Sequence, residues 1–328
     1  SDRGLGALLD EAGQLEPVAS GSDHSGDHQV LRVVDQPDAV EALRAALARE
    51  PVVLKPNSPW QLDYAESACR LTRSFGEADD PVVLVIAEYA PGDGFSMIVA
   101  GKPLRALTPR SASNAELSVR FDPDGQPTDT FVNVGTLGDF KPALIFGTTR
   151  LDPLPEGFFD DVDYDTDWDY RDPPAVSAER RNAASRLVLG KGKDDRVILE
   201  TGSLGEAFAA MDKCLDLLVE SWGFDPAMVA AQERPAVPLE SPGRWIRPGD
   251  YPKNALDSGQ QGMVHFRLMI DATGKPTDCI IQGATKPAGF EDVTCDNLLK
   301  RARFKPALAA DGAPVASFYT NTVRFQIP

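Results

Sequence analysis

Residues 263–284, MVHFRLMIDATGKPTDCIIQGA, predict a β-hairpin whose two strands are joined by the turn ATGK. In the first strand Val264, Phe266, Leu268 and Ile270 alternate with Met, His and Arg, so one face is apolar and the other is mixed. A strand of this kind is typical of an antiparallel sheet that helices cover on one side. We therefore expect the hairpin to belong to a small α+β domain.

Helical segments flank this hairpin, and a further strand follows it. YPKNALDSGQQG (251–262) predicts a short helix ended by Gly259, FEDVTCDNLLKRARF (290–304) predicts a second helix, and PVASFYTNTVRFQIP (314–328) predicts the last strand. Together these elements predict an antiparallel sheet with two helices over residues 251–328.

Residues 51–232 have the pattern of a mostly-β domain. Short segments rich in β-branched and aromatic residues, such as ACRLTRSF (68–75) and PVVLVIAEY (81–89), are separated by Gly, Pro and Asp. Strands at this spacing predict a sandwich or a barrel. The clearest helix of the chain, SLGEAFAAMDKCLDLLVESWG (203–223), comes at the end of this domain.

The flanks of the β domain differ from it in composition. Residues 1–50 hold the stretch GSDHSGDHQ and a helical pattern at 35–50, so we expect a mobile leader followed by a short helix. Residues 233–250 are rich in proline, which predicts an extended, semi-rigid linker. The expected protein therefore has two domains joined by this linker.

Charge distinguishes the two ends of the chain. Residues 243–328 contain 11 Lys and Arg against 8 Asp and Glu, whereas the rest contains 22 against 42, for a net charge of -17 overall. The acidic part argues against nucleic acid or anionic lipid as a partner, because both are polyanions. No apolar run approaches the roughly 18 residues of a membrane-spanning helix, so we expect a soluble chain without direct membrane insertion.

The predicted α+β domain contains a set of residues in a characteristic order and spacing. They are Tyr251-Pro252, Ala255, Gly259, Gly262, Val264, Ile270-Asp271, Gly274, RARFKPA (301–307), Pro314-Val315 and VRF (323–325). In this order and spacing they resemble the carboxy-terminal domain of the TonB energy-transducer family. Gly274 suits a turn with positive φ, and Pro306 cannot continue the helix before it.

The resemblance implies binding by strand addition, in which a segment of a partner pairs with an open sheet edge. By position, the partner-facing elements are the last strand and the segment before Tyr251. The implied partner-binding residues are Arg247, Tyr251, Val315, Tyr319, Asn321, Val323 and Phe325, and the implied partner is an envelope protein or a segment of an outer-membrane receptor. The alternative is that these are ordinary edge and loop residues, because exposed edges are common and usually guarded.

The chain departs from the family outside this region. Energy transducers of the family have an amino-terminal membrane helix and a long spacer, whereas this chain has an acidic globular domain and a short proline-rich segment. A linker of about 20 residues, at roughly 3.1 Å per residue, is too short to span a periplasm. We therefore do not expect coupling to the proton-motive force.

Four cysteines allow three pairings, and the pairing that respects the predicted domains joins Cys69 to Cys214 and Cys279 to Cys295. Both disulfides would be structural and would require an oxidising compartment. The alternative is four reduced, buried thiols. Because the chain begins at Ser1 without a basic and apolar leader, we expect a periplasmic protein whose signal peptide was removed, or a chain trimmed to look like one.

An acidic, aromatic stretch contains the nearest approach to a metal-binding motif. Within DDVDYDTDWDY, Asp161, Asp163, Asp165 and Asp167 alternate as in the first half of a calcium loop. The Gly and Glu that an EF-hand requires at its sixth and twelfth positions are absent. A weak calcium site is one interpretation, a solvated or docking loop is the other, and we expect no other cofactor.

Signatures of common enzymes are missing from the sequence. It has no G-x-S-x-G, P-loop or H-E-x-x-H motif, His24 and His28 lie in the leader, and we expect His265 on the surface of its strand. We therefore predict a non-enzymatic envelope adaptor or scaffold. The alternatives are a periplasmic ligand-binding or sensing protein that uses the TonB-like fold, and a cryptic hydrolase that uses the carboxylates of the acidic stretch.

Overall fold

The computed structural model describes residues 8–9, 15–16, 50–108, 114–158, 171, 173–285 and 289–327. The chain forms two compact units, Ser1–Ala48 and Arg49–Pro328. In the first unit, β1 (Leu8–Leu9) pairs antiparallel with β2 (Leu15–Glu16). The helix predicted at 35–50 lies outside the described residues, apart from Glu50. The second unit contains both the β-rich region and the α+β region.

The β-rich region is one ten-stranded sheet, in the order β3-β12-β11-β8-β9-β10-β7-β6-β5-β4. Its strands are β3 (Val52–Leu54), β4 (Gln61–Ala65), β5 (Ala68–Phe75), β6 (Val82–Glu88), β7 (Phe95–Ala100), β8 (Asn114–Asp122), β9 (Thr128–Leu137), β10 (Phe140–Thr149), β11 (Arg186–Lys191) and β12 (Asp194–Leu199). Neighbouring strands run antiparallel except β12 and β3, which are parallel. The strand segments predicted from the sequence are confirmed.

Residues 52–57 connect the two ends of this sheet. β3 pairs with β12, and directly after β3 the Gly76 N–H donates to the Lys55 carbonyl at 2.8 Å while Pro56 bridges Phe75. This short segment therefore pairs with β12 near one end of the strand order and contacts the end of β5 near the other. The sheet is therefore curled so that its two ends approach each other, and this curled sheet with its helices, residues 50–232, is termed the barrel.

A long helix fills the apolar side of the barrel. After the short α1 (Ala178–Ala183) comes α2 (Gly205–Ser221), which is followed by α3 (Pro226–Ala230). The buried face of α2 includes Phe208, Met211 and Leu215, which join one apolar cluster with inward-facing residues of the strands. Phe95 lies 5.6 Å from Phe208 and 5.8 Å from Phe121 between ring centroids, so strand and helix side chains interlock.

One carboxyl group is enclosed in this barrel. Glu88, the last residue of β6, is 1% exposed, and its Oε2 has no hydrogen-bond partner among the described residues. Burial, and next the carboxylate of Asp212, raise the pKa of Glu88 to about 8, although Arg181 opposes the shift. The side chain is therefore protonated at neutral pH.

The α+β region contains the predicted hairpin within a small three-stranded sheet. Its elements are β13 (Val237–Pro238), α4 (Lys253–Asp257), β14 (Gly262–Ile270), β15 (Pro276–Ala284), α5 (Glu291–Arg301), β16 (Phe304–Lys305), β17 (Ala307–Leu308), β18 (Pro314–Val315) and β19 (Ser317–Phe325). The three long strands form an antiparallel sheet in the order β15-β14-β19. The hairpin turn needs glycine at Gly274, because φ is +84° and a Cβ would lie 2.0 Å from the Phe304 carbonyl oxygen.

Helices cover one face of this sheet. Phe266, Leu268 and Ile270 of β14 pack with Leu298 of α5 and with Phe304. A second cluster beside it joins Ala255, Val264, Phe290 and Phe325. The predicted apolar face of the hairpin is thus the helix-covered core of the region.

Residues 233–250, predicted as an extended linker, differ from that expectation. β13 pairs with β16, and Ala236, Val237 and Trp245 are 4%, 2% and 1% exposed. The Trp245 ring packs against Phe304 at 5.4 Å between centroids. Apolar side chains between the prolines enter the core, so this segment is part of the α+β region and not a spacer. Within the described ranges, no helix has the length and apolarity needed to cross a bilayer.

Candidate strand-addition site

The backbone N–H and C=O groups of successive β14 residues point alternately to the two neighbouring strands, β15 and β19. The Met263 carbonyl accepts a hydrogen bond from the Thr285 N–H at 3.0 Å, and the Met263 N–H donates to Thr285 Oγ1 at 2.9 Å. Met263 therefore directs its backbone groups to the β15 side. Because alternate residues of a strand point to opposite sides, the even-numbered residues from Val264 to Ile270 face β19.

The even-numbered residues of β19 consequently face away from the sheet. The register with β14 is unbroken from Gly262 opposite Phe325 to Ile270 opposite Ser317, so odd-numbered residues of β19 exchange hydrogen bonds with β14. The outward N–H and C=O groups belong to Phe318, Thr320, Thr322 and Arg324. In the described part of the chain, no second strand pairs with them. β19 is an open sheet edge.

A side chain guards the middle of this edge. Asn321 Oδ1 accepts a hydrogen bond from the Thr322 N–H at 2.7 Å, and Asn321 Nδ2 donates to the Tyr319 hydroxyl at 2.7 Å. The first bond independently places the Thr322 N–H on the outer side, since that group is bonded to a side chain and not to β14. This short polar side chain satisfies an edge donor, and an added strand would have to replace its hydrogen bond to the Thr322 N–H.

Several of the side chains predicted to bind a partner pack into the helix-covered core of the sheet. Tyr319 packs against Phe304 at 5.0 Å and Trp245 at 5.8 Å between centroids, and burial raises the pKa of Tyr319 to about 12. Val323 packs against the same core, and Phe325 stacks on Phe290 at 4.5 Å. Asn321 is exposed at the edge. A direct role of these side chains in partner binding stays a prediction.

The segment before Tyr251 is held against helix α5. Arg301 donates to both carboxylate oxygens of Asp250 and to the Trp245 carbonyl, the last at 2.9 Å. The Arg247 N–H donates to the same carboxylate at 2.7 Å, while the Arg247 side chain is exposed. Hydrogen bonding from Arg301 holds the pKa of Asp250 below its usual range.

Tyr251 and Val315, which were also predicted to bind a partner, lie away from the open edge. Tyr251 packs edge-on against Phe290 and Phe325, and its hydroxyl donates to the Gln260 carbonyl at 2.5 Å. Val315 lies in β18, which pairs with β17 and not with β19. Neither residue is part of the open edge, so a role in partner binding stays a prediction for both.

The barrel covers the face of the sheet opposite the helices. His265 stacks on Tyr89 with ring centroids 4.1 Å apart, which differs from the surface position expected for this histidine. Gln282 Nε2 donates to the Tyr89 carbonyl at 2.7 Å and to the Ser67 carbonyl at 3.1 Å. This face of the sheet has both apolar and polar residues because it packs against the barrel, which offers rings and backbone carbonyls to it.

An aromatic contact continues this interface toward the start of β19. The Arg267 guanidinium lies 4.0 Å from the ring centroid of Trp222, which meets Phe318 edge-on at 4.9 Å. Burial lowers the pKa of Arg267 to about 10, so it is still cationic at neutral pH. The barrel thus covers the face of β19 while leaving its backbone edge unpaired.

Grooves remain on both faces of the edge. The barrel-side groove, of about 310 Å³, is lined by residues including Tyr89, Ser96, Thr148, His265, Thr320 and Thr322. The helix-side groove, of about 260 Å³, is lined by residues including Trp245, Ile246, Phe266, Leu298 and Val323. Asn321 and Thr322 line both grooves, so the two meet at the centre of the edge.

Both expected disulfides are present, and all four cysteines are paired. Cys69–Cys214 joins β5 to α2, and Cys279–Cys295 joins β15 to α5. These bonds indicate an oxidising compartment. The aspartates of the predicted calcium site, 161, 163, 165 and 167, lie outside the described residues, as do His24 and His28. The calcium site stays a prediction.

Sequence reasoning missed the outward backbone groups of β19 and the contribution of the barrel. Alternation along β19 separates two sets of residues, but only the pairing order shows which set faces outward. The mixed face of β14 was an available signal for Arg267 and His265, because Met, His and Arg on one face are compatible with a covered surface. No local signal marks Tyr89 or Thr148.

Comparison with protein families identifies the α+β region. Residues 248–327 match the family described as Gram-negative bacterial TonB protein C-terminal, which confirms the resemblance. The part of the chain before this region matches no family. A comparison with curated proteins finds no match for the chain. The matched region contains the whole β15-β14-β19 sheet and its open edge.

Proposed function

We propose that this protein is a periplasmic adaptor or scaffold that holds an extended segment of an envelope protein at the outer edge of β19. The open edge formed by Phe318, Thr320, Thr322 and Arg324 is the observation that carries the proposal. An added strand satisfies these backbone groups, which supplies affinity, while side-chain grooves supply choice.

Two other observations support this role. The TonB C-terminal family is associated with the envelope and generally interacts with outer-membrane receptors, so a receptor segment is the first candidate for the partner. The two disulfides suit a protein that folds in the periplasm. The binding step requires no catalytic group, and a non-enzymatic role stays part of the proposal.

Site-specific cross-linking tests the proposal. A photoactivatable phenylalanine analogue at Thr320 is expected to cross-link the full chain to an envelope protein in cells, because this position borders the edge. The same analogue at Asp296, on the exposed side of α5, is the matched control and should give no such product. Equal cross-linking at both positions, or none at Thr320, would contradict binding at the edge.

A proline at the edge separates strand pairing from side-chain contact. The Thr320 N–H faces outward, so Thr320→Pro removes a donor for the partner but none for β14. With the photoactivatable analogue placed at position 324, cross-linking should be lost in Thr320→Pro. It should be retained in Thr320→Val, which keeps the backbone donor. Arg324→Pro, read out from Thr320, repeats the test if the first proline lowers stability. Retained cross-linking in both proline variants would rule out strand addition.

A ligand-binding or sensing protein is the second candidate function. A cleft of about 470 Å³ opens on the barrel and is lined mainly by apolar atoms, with residues including Val119, Phe121, Thr130 and Leu154. Such a cleft suits a small molecule. A thermal-shift screen with amino acids, sugars and ferric chelates tests it, and a binder should lose its effect in Thr130→Trp. The hydrolase alternative rests on residues outside the described ranges and stays untested.

A further inference from the structure

The cleft on the barrel opens into its apolar core. Val119, Phe121 and Leu151 line this cleft and also belong to the core cluster. Thr128 of β9 stands opposite Val119 of β8 in the strand register, so its side chain lies on the same inner side of the sheet. The volume of about 470 Å³ falls within the range of roughly 300–1,000 Å³ that is typical of small-molecule sites.

The charged groups of the cleft are cationic. Among the described residues that line it, none is Asp or Glu, and the charged ones are Arg120 and Arg150. Pro153 and Leu154 extend the apolar wall, and Thr130 adds a hydroxyl group. This lining offers a ligand apolar surface and hydrogen-bond donors but no carboxylate to hold a cation.

Arg120 is already paired on the other face of the sheet. Alternation along β8 turns its side chain away from the side of Val119 and Phe121. Its guanidinium donates to Asp195 at 2.6 Å and to Asp122 at 3.0 Å. Hydrogen bonding to Asp195 raises the pKa of Arg120 above its ordinary value. These two carboxylates satisfy the charge of Arg120, so it is not the group that attracts a ligand.

Arg150, by contrast, is a mostly buried cation without a close carboxylate. Its side chain is 16% exposed, and its one hydrogen bond to a described residue runs from Nη2 to the Pro174 carbonyl at 2.5 Å. Its buried Nε has no hydrogen-bond partner in the described part of the chain. Asp93 Oδ2 lies 4.0 Å from Arg150 Nη2, but the Asp93 carboxylate already accepts from Arg181 and from the Val176 N–H, both at 2.9 Å.

An anionic acceptor in the cleft would complete the hydrogen bonding of Arg150. A guanidinium carries five N–H donors, and a buried charge is costly when its donors are not used. A carboxylate matches the guanidinium in shape and forms short, charge-assisted hydrogen bonds with it. The apolar wall formed by Phe121, Leu151 and Leu154 then suits the uncharged remainder of the ligand.

We infer that this cleft binds an apolar monocarboxylate of medium size, such as a fatty acid, with its carboxylate on Arg150 and its hydrocarbon chain against Phe121 and Leu151. The inference rests on the second candidate function, for which it specifies the ligand, and it does not depend on strand addition. The net charge of -17 opposes an anion at long range. Salt screens that repulsion beyond about 8 Å at physiological ionic strength, so the adjacent arginine decides.

Isothermal titration of the full chain at physiological salt tests the ligand class. Octanoate is the probe, octan-1-ol lacks the charge, octylamine has the opposite charge, and butanoate lacks most of the hydrocarbon chain. Octanoate should bind at submillimolar concentration and at least tenfold more tightly than each of the other three compounds. No binding of octanoate at millimolar concentration, or equal affinity for octanoate and octan-1-ol, would overturn the inference.

Variants of Arg150 test which group holds the carboxylate. Arg150→Met removes the charge, so the preference for octanoate over octan-1-ol should fall to near unity, whereas Arg150→Lys should keep part of it. Arg105→Met, at an exposed position outside the cleft lining, is the control and should keep the full preference. The ratio of the two affinities is the readout, because a general loss of structure weakens both ligands alike. An unchanged ratio in Arg150→Met would overturn the assignment.

A second pair of variants tests the location of the ligand. Thr130→Trp fills the cleft and should abolish octanoate binding, whereas Thr130→Val keeps the shape of the side chain and should bind octanoate within about threefold of the unmodified chain. Retained binding in Thr130→Trp would place the ligand elsewhere and overturn the inference. If Thr130→Trp does not fold, the Arg150 variants still decide the outcome.

The outcomes separate this inference from both candidate functions. If octanoate does not bind, but a ligand from the thermal-shift screen loses its effect in Thr130→Trp, the cleft is a binding site and the carboxylate class is wrong. If no compound of either set binds, the second candidate function fails together with the inference. Cross-linking from Thr320 tests strand addition independently, because that position does not line the cleft.

Discussion

The imidazole ring of His265 stacks on the phenol ring of Tyr89, with 4.1 Å between ring centroids and 14° between ring planes. His265 belongs to the middle strand of the TonB-like sheet, whereas Tyr89 directly follows barrel strand β6. Thr322 Oγ1 lies 2.8 Å from His265 Nδ1, which connects the stack to the open edge of β19. This contact therefore helps to position the edge against the barrel.

Protonation of His265 is expected to destabilise the protein in mild acid. Burial lowers the pKa of His265 to about 4 from 6.5; Arg70 lines a cleft together with His265, and Arg267 lies two residues further along β14. The stabilisation is complete above pH 6.5 and is lost as the pH falls towards 4, by up to roughly 3 kcal/mol. Urea unfolding at pH 7 and pH 5 measures this loss.

The matched variant for this prediction is His265→Phe. It keeps an aromatic ring for Tyr89 but cannot be protonated, so the free energy of unfolding should fall less between pH 7 and pH 5 than in the unmodified chain. The same loss in both proteins would show that another group is responsible.

Glu88 is expected to give the opposite pH dependence. Its pKa is about 8 in the folded chain and near 4.5 in the unfolded chain, so stability is complete below pH 4.5 and is lost as the pH rises to 8. Glu88→Gln resembles the protonated carboxyl group and should raise the free energy of unfolding at pH 7 by roughly 2 to 3 kcal/mol. Glu116→Gln, on an exposed position of β8, is the control and should change little.

The two titrations act against each other between pH 4.5 and pH 6.5, because His265 gains and Glu88 loses stability as the pH rises. Single variants are therefore needed to detect either of them. A Glu88→Gln variant whose change in stability is identical at pH 5 and pH 8 would contradict the assignment of a raised pKa.

The two disulfides are expected to contribute unequally. Cys279–Cys295 closes a loop of 16 residues and Cys69–Cys214 one of 145 residues. In the chain-entropy account, the first contributes roughly 3 kcal/mol and the second roughly 5 kcal/mol. Paired Cys→Ser variants, unfolded in urea without reductant, measure both values, and a larger loss from the short loop would contradict the account. Thiol titration of the denatured, unreduced chain should detect no free cysteine.

Trp222 is expected to stabilise the docking of the barrel on the TonB-like sheet. Its ring covers the Arg267 guanidinium, and Arg267 Nε and Nη1 have no hydrogen-bond partner among the described residues. Trp222→Ala should lower the free energy of unfolding by roughly 3 kcal/mol, through loss of ring burial and of the cation–π contact. Trp222→Phe keeps part of both and should lose less. If Trp222→Ala and Trp222→Phe lower the free energy of unfolding equally, the contact of an aromatic ring with Arg267 does not stabilise the protein.

The Asp250–Arg301 pair is expected to hold the segment that borders the helix-side groove. Asp250→Asn removes the charge that Arg301 contacts, so amide hydrogen exchange should increase over residues 245–251. Asp257→Asn, at the exposed end of α4, is the control. Because the pKa of Asp250 is lowered, the pair stabilises above the ordinary aspartate range near pH 4 and is lost as the pH falls below it. Unchanged exchange in Asp250→Asn would exclude this role.

Much of the fold could be predicted because its signals are local. The period-two pattern of β14, the glycine turn at Gly274 and the apolar stripe of α2 each depend on neighbouring residues, and the structure contains all three. The linker prediction failed for a related reason. Proline content indicates an extended backbone but does not show that Trp245 finds Phe304 and Tyr319 after the chain has folded.

The amino-acid sequence by itself determined the strands, the helices, the resemblance of the carboxy-terminal region and the pairing of cysteines within regions, because periodicity, turn residues and spacing are properties of short segments. Only the tertiary structure decided that Thr320 and Thr322, and not Tyr319 and Asn321, direct their backbone outward. Only the tertiary structure also placed Tyr89 on His265 and Thr148 beside the edge. Strand order and docking are contacts between residues far apart in the chain, and no local pattern encodes them.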